Sequence, residues 1–151
     1  MNRRTLLQSS VALAVSSLAV HAADAADKHK HHHHEAESGG NPYAALIHST
    51  AHCLMAGEAC LAHCIKLMAD GDGSMGPCAT TANQMLALCG ALQKLASQQS
   101  PLTPALAKVA LEACKACEAE CKKHENHHNT CKACREACTE CIKQCEAVAK
   151  A

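Results

Sequence analysis

Apolar side chains recur every three or four residues between positions 43 and 151, and this spacing predicts amphipathic helices. The polar stretches DGDGSMG, SQQSP and NHHN interrupt the pattern and are expected to be turns. The predicted helices run from about Pro42 to Ala69, from Pro77 to near SQQSP, from Thr103 to about Glu125, and from the NHHN link to Ala149. Four long helices with short connections predict an all-α fold, an antiparallel up-down four-helix bundle.

Cysteine takes many of the inward positions in this pattern. The stretch CKACREACTECIKQC, residues 131–145, spaces five cysteines by alternating steps of three and four, which is the a/d spacing of one helix face. Cysteines in the other predicted helices continue rows of Leu, Ala or Met in the same way. We therefore expect a cysteine-lined core. The thirteen residues are Cys53, Cys60, Cys64, Cys78, Cys89, Cys114, Cys117, Cys121, Cys131, Cys134, Cys138, Cys141 and Cys145.

The stretch CKACREACTECIKQC also resembles an iron–sulfur motif at first sight. Ferredoxin cysteines lie in loops, as in C-x₂-C-x₂-C-x₃-C-P, and wrap a compact cluster. Here the steps alternate strictly and no Pro or Gly intervenes. The residues between the cysteines are Lys, Ala, Arg, Glu, Thr, Ile and Gln, most of which favour helices. The spacing therefore favours a helical seam.

The amino-acid composition and the net charge narrow the range of expected partners and functions. The chain has 13 Cys and 12 His but one Tyr, no Phe and no Trp, so it lacks the aromatic rings that usually fill a core. Its formal net charge is zero with histidine neutral, which gives no electrostatic reason to expect a nucleic acid or an anionic membrane as partner. No paired acid–base constellation or nucleophile motif is visible, so we expect no enzymatic activity.

Several functions are compatible with so many cysteines. A few buried thiols can be simple packing residues, but Ala or Val would fill the same space without the risk of oxidation. An exported protein could carry a disulfide framework, although the odd count and the clustering on single helices argue against one. A thiol oxidoreductase needs an exposed cysteine of low pKa, and only Cys78, just after Pro77, has a suitable helix position. Zinc and iron–sulfur binding remain further alternatives.

A charge argument favours Cu(I) among the soft metals that thiolates bind. Thirteen buried thiolates would carry thirteen negative charges, and buried charge without compensation is very costly. One monovalent ion per thiolate neutralises the row. A zinc ion with four thiolates keeps two negative charges, and the stripes do not divide naturally into fours. We therefore expect about one Cu(I) per cysteine.

The first 42 residues predict targeting and linker segments. Arg3 and Arg4 precede an apolar stretch, which indicates a twin-arginine-type signal over residues 1–26 and an extracytoplasmic location such as the periplasm. That stretch is too short to predict a membrane span. Residues 27–42 are predicted to be a disordered, histidine-rich linker, and the run His29–His34 could capture metal weakly. The copper-binding bundle domain is then 43–151.

The stretches HCLMAGEACLAHC, CKACEAECKKHE and CKACREACTECIKQC, behind this signal, resemble the bacterial copper storage proteins. The resemblance covers about residues 43–148. It implies a four-helix bundle that holds many Cu(I) ions, with all thirteen cysteines as ligands. It also implies a homotetramer that stores copper for copper-dependent enzymes or buffers an excess of it.

The up-down topology predicts different chemistry at the two ends of the bundle. One end collects the candidate copper-entry residues, whose thioether and imidazole groups can pass the ion inward: Met68, Met75, His124, His127 and His128. The opposite end should be a hydrophobic plug of Leu46, Leu92, Leu95, Leu106 and Val109. His48, His52 and Met55 are predicted to lie away from the cysteine stripe, on the surface or in a subunit contact.

Overall fold

The computed structural model describes residues 40–150. The predicted signal segment and residues 27–39 of the predicted linker lie outside this range. The elements are α1 (Ala44–Ala69), a short 3₁₀ turn (Gly73–Met75), α2 (Gly76–Ser97), α3 (Thr103–His124) and α4 (Asn129–Ala149). The all-α prediction is confirmed, and every predicted helix is present with its ends within about two residues of the expected positions.

Local sequence signals fix the helix ends. Pro77 and Pro104 lie in the first turns of α2 and α3, where the missing N–H of proline costs nothing. Before α1, the side chain of Asn41 accepts a hydrogen bond from the Tyr43 N–H and donates one to the Ala96 carbonyl at the end of α2. The beginning of α1 is therefore tied to the end of α2.

The helices form an antiparallel bundle in which each packs against two neighbours, α1 and α3 both contacting α2 and α4. Sulfur contacts show the directions. Cys60, late in α1, meets Cys78 at the start of α2, at 3.9 Å. Cys117 in α3 meets Cys134 in α4 at 3.8 Å, while Cys60 also meets Cys131 at the start of α4. Farther back along α1, Cys53 contacts Met85, which lies farther along α2, and Cys138, which lies farther along α4. Contacts that move back along α1 thus move forward along α2 and α4, so α1 runs opposite to both. The pairs Cys78–Cys121 and Cys89–Cys114 show the same for α2 and α3.

The core lies along the bundle axis and consists mainly of cysteine and alanine, with Leu46, Met75, Met85 and Leu92 as its largest fully buried apolar side chains. Leu46 and Leu92 fill the leucine end as predicted, and Leu95 and Leu106 are half-buried there. The prediction for Val109 was wrong, since its side chain is 53% exposed. Ala110 takes the inward position of α3, and a neighbouring helical residue points about 100° away.

None of the helices in residues 40–150 combines the length and the apolar character needed to cross a bilayer. The outer faces carry ion pairs within and between helices. One of them joins Arg135 of α4 to Glu125 at the end of α3, and another joins Lys115 to Glu146 at 3.9 Å. Because these groups are partly exposed, we expect their ion pairs to contribute little to the stability of the fold.

Two helical glycines give a matched test of the packing. A β-carbon at Gly57 would lie 2.6 Å from Met85 Cε and 2.9 Å from Leu86 Cδ2, whereas one at Gly90 would meet only Leu54 Cδ2, at 3.9 Å. Overpacking by Gly57→Ala should cost about 1–3 kcal/mol, and the gain in helix propensity of about 1 kcal/mol offsets part of it, so the free energy of unfolding should fall by up to about 2 kcal/mol. Gly90→Ala should raise it by up to about 1 kcal/mol through helix propensity. Urea denaturation of the metal-free proteins measures both, and equal effects would contradict the close approach.

Candidate metal centre

All thirteen cysteines lie on the inner faces of the helices, and each has 0% exposure. They come from every helix: three from α1, two from α2, three from α3 and five from α4. Steps of three and four residues, or sums of them such as seven in α1 and eleven in α2, keep the cysteines of each helix on one side. The bundle then brings these rows together along its axis, as the sequence predicts.

The sulfur atoms form four groups in which every pair of Sγ atoms is within 4.8 Å. The groups are Cys53–Cys89–Cys114–Cys141, Cys60–Cys64–Cys78–Cys131, Cys60–Cys121–Cys134 and Cys117–Cys134–Cys138. Cys60 and Cys134 each belong to two groups. Further contacts join Cys53 to Cys138 at 3.7 Å and Cys141 to Cys145 at 4.0 Å. The thiols thus form one continuous row instead of separate pockets.

The spacing within this row suits shared metal ions. A bond from a first-row metal to a thiolate is about 2.3 Å long, by the zinc value, so sulfurs up to about 4.6 Å apart can bind one ion. Cys89 and Cys114 are 3.5 Å apart, and Cys78 and Cys121 are 3.7 Å apart. A disulfide would require about 2.05 Å. All thirteen cysteines are free.

The core provides no charge to balance ionised thiols. Within residues 40–150 the buried polar side chains are Ser49, Thr50 and Thr103, none of which is charged. Burial raises the pKa of the Cys64 thiol to about 12 and that of the Cys131 thiol to about 11, with repulsion from Cys78 adding to the effect. These thiols are therefore protonated near neutral pH when no metal is bound.

Thiols that receive hydrogen bonds behave differently. Hydrogen bonds to the Cys78 thiol, the strongest from Cys121 and the next from Cys60, lower its pKa. Cys78 also lies in the first turn of α2, where the helix dipole favours a negative charge. Cys78 is nevertheless fully buried. It therefore lacks the exposure that a thiol oxidoreductase requires of its nucleophile.

The predicted entry residues gather at the end of the bundle where α1 and α3 finish. The His124 and His128 rings have centroids 6.4 Å apart, and Met75 is fully buried beside the core. Met68 is half-buried near the start of α2. Its Sδ atom lies 4.0 Å from the place that a β-carbon would take at Gly76. His127 is exposed, and its backbone N–H donates a hydrogen bond to the His124 carbonyl at 3.1 Å.

The sequence analysis missed His63 at this end. Its Nε2 atom is 3.0 Å from Nδ1 of His128, so α1 and the residue before α4 share a histidine pair. The signal that could have revealed it is its place directly before Cys64, the last cysteine of α1. His48, His52 and Met55, in contrast, line a shallow depression on the outer side of α1, away from the sulfur row as predicted.

A four-helix bundle whose core, within residues 40–150, holds a row of free thiols and no charged side chain offers the ligands that soft metal ions prefer. Comparison with known proteins makes the class specific. The family model described as "Copper storage protein" matches residues 39–150. The chain therefore belongs to the copper storage protein family, and the resemblance stated from the sequence is confirmed.

Solved structures agree with this assignment. Metal-free copper storage protein 3 from Bacillus subtilis is 26% identical, with a TM-score of 0.63 over 71% of this chain and 98% of that one. Its Cu(I)-bound form, BsCsp3, gives 27% identity and a TM-score of 0.65, over 71% and 97%. The protein Ccsp from Streptomyces lividans, loaded with 10 copper equivalents, is 26% identical, with a TM-score of 0.64 over 74% of this chain and 89% of that one. No curated protein sequence matches significantly.

Proposed function

We propose that this protein stores Cu(I) along its bundle axis, with all thirteen cysteines as ligands and about one ion per cysteine. The observation that best supports this proposal is the continuous row of buried thiols, in a core without any charged side chain among the described residues. When copper binds, each thiol loses its proton to solvent, and each monovalent ion replaces the charge that leaves. The loaded core is then neutral, as burial requires.

The sulfur groups favour Cu(I) over zinc for a second reason. Zinc prefers four ligands in a tetrahedron. Only two of the four groups contain four sulfurs, and the two groups of three share Cys134. Ions bridged by shared thiolates use every sulfur, whereas separate tetrahedra would leave Cys145 and others without metal.

Metal competition tests the choice of ion. Reduced protein is incubated anaerobically with equal amounts of Cu(I) and Zn(II), desalted, and analysed for both metals. We expect copper to occupy the protein and to displace zinc that was bound first. Retention of zinc in the presence of free Cu(I) would contradict the proposal.

We also propose a non-catalytic role, in which stored copper is later supplied to copper-dependent enzymes or an excess is buffered. Storage requires that copper can leave as well as enter. The supporting feature is the histidine- and methionine-bearing end, where weaker ligands lie next to the first core sulfurs. We name this end the mouth, defined as His63, Met68, Met75, His124, His127 and His128.

Replacing mouth ligands should change rates and leave capacity unaltered. His63→Asn with His128→Asn removes the 3.0 Å imidazole pair, and Met68→Leu with Met75→Leu removes two thioethers. Uptake of Cu(I), and its removal by a chromophoric chelator, should slow because the ion loses intermediate ligands between water and the thiolates. Stopped-flow transfer measures both directions.

Leu92→Ala provides the control at the opposite end of the bundle. Leu92 is fully buried, so its truncation should cost about 2–5 kcal/mol of stability while transfer rates stay near those of the wild type. Rates in the mouth variants equal to wild type would mean that copper enters elsewhere.

Export and assembly belong to the same proposal. The segments 1–26 and 27–42 are proposed as a twin-arginine-type signal and a histidine-rich linker, which would place the bundle domain 43–151 outside the cytoplasm. The intact mass of protein recovered from the periplasm tests the cleavage. Assembly into a homotetramer is proposed by family membership, and light scattering tests it. A monomer would contradict it.

A further inference from the structure

Met85 lies among the core sulfurs in the middle of the bundle, far from the mouth. On α2 it continues the inward row that includes Cys78 and Cys89, and it has 0% exposure. Its Sδ atom is 3.3 Å from Cys53 Sγ, which is itself 3.7 Å from Cys138 Sγ. Since Cys53 belongs to a four-sulfur group, the thioether lies directly beside a candidate copper site.

The position of this side chain is held by α1 on two successive turns. The Met85 methyl carbon lies against Gly57, 2.6 Å from where a β-carbon would stand, and its sulfur contacts Cys53, four residues earlier. The absence of a side chain at Gly57 leaves room for the methyl group. The sulfur atom is thereby kept on the side of the thiol row.

We propose that Met85 is a core copper ligand, binding one Cu(I) ion together with the Cys53 thiolate. This inference rests on the proposed storage of Cu(I). In the metal-free protein the Cys53 thiol donates a hydrogen bond to Met85 Sδ. On copper binding the thiol proton passes to water, a bond forms between Cu(I) and the Cys53 thiolate, and the Sδ lone pair becomes available to the same ion. The oxidation states do not change.

A thioether suits this place because it is a soft ligand without charge. It adds a donor to the copper ion without adding a negative charge to a core that has no buried cationic side chain among residues 40–150. The number of ions, set by the thirteen thiolates, is therefore unaffected by Met85. A leucine would fill nearly the same volume but could not bind metal, which makes Met85→Leu the appropriate variant.

Selenium X-ray absorption tests the bond directly. The parent protein carries Met55→Leu, Met68→Leu and Met75→Leu, is produced with selenomethionine, and is saturated with Cu(I); Met85 and the initiator Met1 then carry the selenium. The comparison protein carries Met85→Leu in addition. We expect a selenium–copper distance of bonding length in the parent and its loss in the comparison protein, with equal copper content in both.

Absence of a selenium–copper neighbour in a fully copper-loaded parent would overturn the assignment of Met85 while leaving the storage function intact. Failure of both proteins to load copper, with helical circular dichroism retained, would instead overturn the storage function and this assignment with it. The rate of copper removal is a second, indirect measurement of the same bond. A chelator should remove the most labile central ion of the copper-loaded Met85→Leu protein roughly tenfold faster than that of the parent, an effect as large as the loss of an outer-shell partner of a metal site.

Discussion

Saturating the reduced protein with Cu(I) should raise its melting temperature by at least about 15 °C. Any ligand bound only by the native state stabilises it by mass action, by about 4 kcal/mol for one site at a free concentration 1,000 times its dissociation constant. In a domain of this size each kcal/mol raises the melting temperature by about 4–8 °C. Many sites filled together can only increase the shift. Thermal unfolding followed by circular dichroism measures it.

The same experiment addresses the metal-free state. The core still holds Leu46, Met85 and Leu92 together with protonated thiols such as Cys64 and Cys131, which pack as small hydrophobes. We therefore expect a helical metal-free protein with a cooperative melting transition. Mg(II), a hard ion that prefers oxygen ligands, is the control and should leave the transition unchanged. A metal-free chain without helical signal would contradict the preformed bundle.

Replacing one complete sulfur group should remove several copper ions at once. The group Cys53–Cys89–Cys114–Cys141 lies toward the leucine end of the row, with only Cys145 beyond it, and all its Sγ atoms are within 4.8 Å of one another. If each thiolate neutralises one Cu(I), changing all four to Ala lowers the capacity by about four ions. Copper analysis of the saturated, desalted variant measures the loss, with Cys145→Ala, outside the four groups, expected to lose about one.

A loss of one ion from the fourfold variant would indicate a single four-coordinate metal and would contradict the shared-thiolate row. Each Cys→Ala change deletes one heavy atom and should cost about 0.5–1.5 kcal/mol, by comparison with Ile→Val. The variant with only Cys89→Ala and Cys114→Ala, the pair 3.5 Å apart, provides the milder version. It should lose about two ions.

The sequence was sufficient to predict the fold because its periodicity is nearly unbroken. The steps of three and four in α4 allow one inward face, and Pro77 and Pro104 mark helix beginnings that the structure confirms within a residue or two. The inward position of all thirteen cysteines follows from the same steps. Short polar connections then leave little choice except an up-down bundle.

The contacts between helices could not be predicted in the same way. That Cys60 meets sulfurs from α2, α3 and α4 depends on the rotation and axial shift of each helix, which the spacing on one helix does not determine. The same rotation turns Val109 outward and brings His63 to His128. The role of Met85 likewise depends on its distance to Cys53 across a helix interface.

The most direct test of the account is an anaerobic titration of the fully reduced protein with Cu(I), with bound copper measured after removal of excess ion. The row of thirteen buried thiols, without a charged side chain in the described core, predicts saturation near thirteen ions per chain. Saturation at three or four ions would contradict it, because metal would then occupy separate clusters and most thiols would have no part in storage.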